Sequence, residues 1–140
     1  MKTLRILPLL ATASLLVFSS CDKDDDVTTE TALQRLQKVW KVDKLTTVYY
    51  TTPASATINY TGQASDYYDF RTNGKLYTSV NGGLDTLDYN LINNTTIVVN
   101  NNGSIDTGRI TTLTNSKLVG VTKFKINSTE YSEVTAELSR

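Results

Sequence analysis

The chain has 140 residues, with 14 basic and 14 acidic side chains, no histidine and a single cysteine. That length holds one domain with one core, and the even charge argues against a nucleic-acid partner, which needs a clustered basic surface. Without histidine, Ser/His/Asp triads, Cys/His dyads and Cys/His zinc sites are excluded.

The N-terminus reads as an export signal. Lys2 and Arg5 form a short positive region, and an apolar run follows from Ile6 to Phe18, interrupted by Pro8, Thr12 and Ser14. A spanning helix needs about 20 apolar residues, so this run is too short for one. Ser19 and Ser20 then precede Cys21, and Val17 to Cys21 resembles a bacterial lipobox, with Phe18 where leucine is usual. The resemblance implies cleavage before Cys21, acylation of its sulfur and its amine, and a palmitate-type membrane anchor. It implies an outer-membrane location, on the periplasmic or the cell-surface face. A lone cysteine forms no internal disulfide, and a free thiol in an oxidising compartment is a liability that acylation removes. Several acyl chains suffice for stable anchoring.

Residues 1–20 are therefore expected to be a signal peptide, 21–30 an acidic tether and 31–140 a β-barrel domain. The tether holds Asp22, Asp24, Asp25, Asp26 and Glu30 against Lys23 alone, and reads as a solvated spacer. Acidic residues just after the cysteine also resemble the surface-export signal of Bacteroidetes lipoproteins. Residues 31–140 carry 11 basic and 9 acidic side chains, close to neutral.

One short helix is expected over Thr31 to Val39, with Thr28 or Thr29 as N-cap, Glu30 in the first turn, and Leu33, Leu36 and Val39 on one face. Every later segment alternates. Trp40 to Tyr50 is a long strand with Trp40, Val42, Val48 and Tyr50 in one phase. Leu45 and Tyr49 fall out of phase, which indicates a bulge or a two-sided strand. Strands follow over Ala56 to Thr61, Asp66 to Arg71 and Lys75 to Val80. Asn73-Gly74 suits a two-residue type I′ hairpin. Gly82-Gly83 turns into Leu84 to Ile92, with Leu87, Tyr89 and Leu91 on one face. Four more strands span Thr95 to Asn100, Ile105 to Thr114, Lys117 to Ile126 and Glu130 to Leu138. Eight or nine strands joined by short turns imply an all-β antiparallel meander that removes its edges by closing into a barrel.

Chemistry is sparse on this frame. Asp66/Asp69, Asp85/Asp88 and Glu130/Glu133 sit three apart, which on a strand points each pair to opposite faces. Carboxylates from different strands can still meet, as a glycosidase requires. Gly82-Gly83 has no Lys-Ser/Thr after it and no helix, so it is no phosphate loop. No catalytic residue, cofactor or metal is assigned, and the chain is read as a non-enzyme. Tyr68, Phe70, Tyr89 and Tyr131, with Trp40, are the candidates to line a ligand cavity, because tyrosine offers an apolar ring and a polar tip. The competing reading is that they fill the core, since eight strands leave room for side chains or one small ligand. Trp40 either plugs one end of the barrel or touches the ligand.

The order of elements resembles the small lipocalin-like lipoproteins of Bacteroidetes. Leu36, Trp40 and Lys44-Leu45 carry the resemblance near the start, and Asp66-Tyr67-Tyr68-Asp69-Phe70-Arg71-Thr72-Asn73-Gly74-Lys75 in the middle. Asp88-Tyr89 and Ile110 to Leu118 carry it later. It covers nearly all of residues 31–138. Lipocalins proper place glycine two residues before the tryptophan, where this chain has Lys38. They also cover the tryptophan with a late arginine, here Arg109 or Arg140. The resemblance implies a lipocalin-like barrel that binds a small apolar or amphipathic molecule, or a glycan or protein partner. The alternatives are a structural or assembly lipoprotein of the envelope with a solid barrel, and a hydrolase built on cross-strand carboxylates. Asp85-Thr86-Leu87 resembles the Bacteroidetes O-glycosylation sequon, with Thr86 as acceptor.

Overall fold

The computed structural model describes residues 30–140. The lipobox, Cys21 and all of the tether before Glu30 lie outside the described residues. A five-residue helix, α1 (Ala32–Leu36), leads into nine strands: β1 (Val39–Tyr50), β2 (Ala56–Thr61), β3 (Tyr67–Phe70), β4 (Lys75–Val80), β5 (Gly83–Asn93), β6 (Thr96–Asn101), β7 (Ser104–Leu113), β8 (Lys117–Lys125) and β9 (Tyr131–Ser139).

Neighbours in sequence pair as antiparallel hairpins from β3 to β9, and β9 pairs back on β1 over Lys41 to Tyr50. Eight strands thus close the expected barrel. The ninth, β2, lies on the edge of β1 over Lys44 to Tyr49, above the point where β3 takes over that edge at Val39 to Lys41. Among the described residues β2 pairs with no strand on its other side, so the ladder is interrupted between β2 and β4.

The helix is shorter than its apolar spacing suggests and starts later. Thr31, not Thr28 or Thr29, is the N-cap, in a capping box with Gln34. Glu30 precedes the helix instead of entering its first turn, and pairs with Lys38 at 3.1 Å. Five residues cannot hold a helix alone. Arg35 docks this one by donating from Nη1 to the Leu113 carbonyl at 3.3 Å and from Nη2 to the Glu30 carbonyl at 3.1 Å. Val39 belongs to β1, and Lys38 turns the chain without a positive φ. A glycine is therefore not required at Lys38.

β1 contains the bulge that its broken phase implies, at Asp43. Trp40 and Val42 face inward before it. An extra residue reverses the alternation, so Leu45 packs against the core after it. Val48 and Tyr50, expected to share the phase of Trp40, face outward instead.

The Asn73-Gly74 turn also differs from expectation. Asn73 does not have a positive φ, and the hairpin closes through Arg71 N–H to Lys75 O at 2.9 Å and Gly74 N–H to Arg71 O at 3.2 Å. This is a turn ending on a left-handed glycine, Gly74 at φ 77°. Positive φ at both central residues, which type I′ requires, occurs instead at Asn81-Gly82 and Asn102-Gly103.

The core lies at the helix end. Leu36, Trp40, Val42, Phe70, Leu76, Tyr89, Ile110, Leu118 and Leu138 form one buried cluster. Trp40 is fully buried, and its Nε1 donates to the Leu36 carbonyl at 3.0 Å, occupying an acceptor at the end of α1. Arg140, and not Arg109, lies over the indole at 5.0 Å from the ring centroid. Trp40 is the floor of the barrel.

Candidate ligand-binding site

Above that floor the barrel is hollow. A chamber of about 140 Å³ is lined by Leu36, Phe70, Ile110, Leu118, Ala136 and Leu138 among others, nearly all apolar. A second chamber of about 270 Å³ shares Tyr68, Leu76, Val99, Thr122 and Phe124 with the first and adds Thr78, Leu87, Asp106 and Gly108. The two form one tapering interior that opens at the end opposite α1. Phe124 faces inward near that mouth and is still 36% exposed, which marks the end as open.

Small inner-face residues make the hollow. Gly108 and Gly120 stand on β7 and β8 at positions whose side chains would point inward. A Cβ on Gly108 would lie 2.7 Å from Thr122 Oγ1, so that wall is already tight. A Cβ on Gly120 would meet nothing nearer than the Arg109 carbonyl oxygen at 3.9 Å. The space in front of Gly120 is open.

The candidate lining residues divide. Tyr68 borders both chambers and Phe70 the inner one, with their ring centroids 6.5 Å apart. Burial pushes the Tyr68 hydroxyl above its ordinary pKa, and that hydroxyl makes no hydrogen bond within the described residues. Tyr89 lies behind the lining. It packs edge-on against Phe70 at 5.1 Å, and its hydroxyl donates to the Arg71 carbonyl at 2.8 Å. Trp40 also sits beneath the cavity and does not border it. Tyr131 is corrected: it faces outward, stacked on Tyr50 at 4.5 Å with Lys123 Nζ 5.2 Å from its ring. The reason is parity. Val134, Ala136 and Leu138 line the inner face, and Tyr131 is an odd number of residues from each.

One carboxylate borders the interior among the described residues, Asp106. A glycosidase-type pair of carboxylates is therefore not assembled there. No group of three or more His, Cys, Asp or Glu that could hold a metal occurs among the described residues. Thr86 sits outward on β5, exposed, opposite Tyr77, with its N–H donating to Asp85 Oδ1 at 2.7 Å.

A residue that the sequence marks only as the start of a strand and one of a carboxylate pair holds the rim together. Asp66 is fully buried. Its Oδ2 accepts from the Tyr60 hydroxyl and from Gln63 N–H, and its Oδ1 accepts from Asn81 N–H at 3.1 Å. These bonds tie the end of β2 to the β4–β5 turn across the break in the ladder. The Tyr60 hydroxyl first, then the Gln63 amide, hold the Asp66 carboxyl below its ordinary pKa. A depressed carboxylate contributes stability that is fully present above its unfolded pKa, about 4, and is lost as pH falls toward the folded value. Denaturant midpoints measured from pH 7 to pH 3 are thus expected to fall less steeply below pH 4 for Asp66→Asn than for the wild type. Parallel profiles would rule this role out.

No family model and no curated protein matches the chain. Among solved structures it is similar to a deswapped triple mutant of bovine odorant-binding protein. The identity is 16%, the match covers 76% of this chain and 74% of that one, and the TM-score is 0.48.

Proposed function

We propose that the protein binds a small apolar or amphipathic molecule inside the barrel, and that it does so at a membrane surface, held by acyl groups on Cys21. The observation that carries the first half is the hollow interior. A solid barrel, as a purely structural lipoprotein would have, buries its inner face with side chains. This one leaves an apolar chamber of about 140 Å³ that opens to solvent. An apolar void of about 150 Å³ stays dry and accepts a single aromatic ring, so the inner chamber suits one ring or a short alkyl chain. The outer chamber, with the hydroxyls of Tyr68, Thr78 and Thr122, suits a polar end. The anchor rests on the lipobox resemblance, and a location on the outer membrane follows from it. Thr86, outward on β5, is an accessible acceptor for O-glycosylation.

Gly120→Leu tests the binding site. Its side chain enters open space from an ordinary backbone conformation. It is expected to abolish ligand carriage while leaving thermal stability equal or higher, because it fills a void with apolar atoms. The measurement is native mass spectrometry of both forms purified from the native host. The wild type should carry a small molecule that denaturation releases, and the variant should not. The denatured masses also report acyl chains on Cys21 and hexose increments at Thr86. An identical adduct on both forms, or none on either, sinks the reading.

A further inference from the structure

We infer that the bound molecule carries a positive charge on its polar end, an ammonium or amidinium group, which Asp106 receives at the mouth of the barrel. This rests on the interior being a ligand site and adds the charge of what enters it.

The inference follows from the signs of the groups that face the hollow. Neither chamber is lined by a lysine or an arginine, whereas Asp106 lines the outer one. Three lysines of the wall are paired elsewhere. Lys75 pairs with Asp88 at 2.6 Å, Lys117 with Glu137 at 3.7 Å and Lys123 with Glu133 at 3.5 Å. Arg109 borders a groove that it shares with Lys123 and Glu133. Arg140 lies over Trp40 beneath the floor. Among the described residues no lysine or arginine forms an ion pair with Asp106.

Asp106 itself is half-buried and makes no hydrogen bond or ion pair within the described residues. Every other half-buried or buried acidic side chain there has a partner. Asp66 has Tyr60, Gln63 and Asn81; Asp69 has Arg71; Glu30 has Lys38; Glu130 has Thr52 and Asn127; Glu133 and Glu137 have lysines. A partly desolvated carboxylate beside an apolar chamber selects a donor cation and repels an anion, because both effects strengthen as water is excluded. The hydroxyls of Tyr68, Thr78 and Thr122, bordering the same chamber, can take the remaining ammonium protons. A fatty acid places its carboxylate against Asp106 and is disfavoured.

The test uses three probes with one apolar body: 4-phenylbutylamine, 4-phenylbutanol and 4-phenylbutanoate. Each is titrated calorimetrically into the full-length protein in non-ionic detergent, against detergent blanks. The amine is expected to bind about tenfold more tightly than the alcohol, and the carboxylate more weakly than either. Asp106→Asn should reduce the amine to the affinity of the alcohol, and an unchanged thermal-unfolding midpoint reports that the variant is folded. Asp106→Glu should restore the preference. Equal affinity of amine and alcohol, or a preference that survives Asp106→Asn, overturns the charge inference and leaves the ligand site standing. Failure of all three probes to bind overturns both.

Discussion

Trp40→Ala is expected to lower the stability of the barrel by about 3–5 kcal/mol, the range for deleting a fully buried tryptophan. Three losses combine. The indole is fully buried at the floor, so its removal opens a void beneath the core cluster. Its Nε1–H donates to the Leu36 carbonyl at 3.0 Å, and that bond is lost, leaving the carbonyl with only the Lys38 N–H at 2.7 Å. Arg140 loses the ring face that it covers at 5.0 Å. Because Trp40 is the sole tryptophan, the variant is followed by circular dichroism in a denaturant titration. A drop in midpoint with an unchanged slope is the expected result. Trp40→Phe keeps most of the ring and loses the donor, so its loss should be smaller. A decrease below about 1 kcal/mol for Trp40→Ala would falsify the assignment of this residue as the floor.

Gly62→Ala should be nearly as damaging for a different reason. A Cβ at Gly62 would lie 1.7 Å from the Val42 carbonyl oxygen and 2.5 Å from its carbon, so the obstacle is backbone and cannot rotate away. Gly62 has no positive φ, so the constraint is space and not conformation. Two neighbours fix the approach: Gly62 N–H donates to the Asp43 carbonyl at 2.9 Å, and Val42 N–H donates to the Asp66 carbonyl at 3.1 Å. Moving the strand aside to admit a methyl breaks one or both beside the bulge of β1. A cost of about 3 kcal/mol is expected, at the upper end for overpacking. Gly120→Ala is the matched control. Its Cβ enters open space, and alanine restricts the unfolded chain, so it should be neutral or stabilising by up to about 1 kcal/mol. If the two variants unfold at the same denaturant concentration, the close approach at Gly62 has no energetic weight.

Strand positions were legible from alternation because each strand has one inner and one outer face, and the hydrophobic pattern records which is which. The closed barrel followed from the same pattern, since a long run of hairpins must deal with its edges. Turn type was less legible. Asn73-Gly74 and Asn81-Gly82 are the same dipeptide. The positions of the pairs that flank each turn decide its conformation: Phe70 opposite Leu76 for the first, Val80 opposite Gly83 for the second. The hollow interior had a signal, small residues at Gly108, Gly120 and Thr122 on the inner phase of two strands, but that phase is known only once the register is. Tyr131 is a different kind of miss. The alternation of Val134, Ala136 and Leu138 already carried the parity that puts it outside. Asp66 had no local signal, because its partners Tyr60, Gln63 and Asn81 come from three separate segments.

The position of Glu30 has a bearing on exchange. It is held beside α1 by Lys38 at 3.1 Å, so the chain enters the domain at the closed floor and not at the mouth. Nine residue steps separate Glu30 from Cys21, a reach of about 30 Å when fully extended. If Cys21 carries acyl chains, as proposed, the anchor joins the domain at the floor end and not at the mouth. The proposed ligand would then reach the mouth without passing the point of attachment.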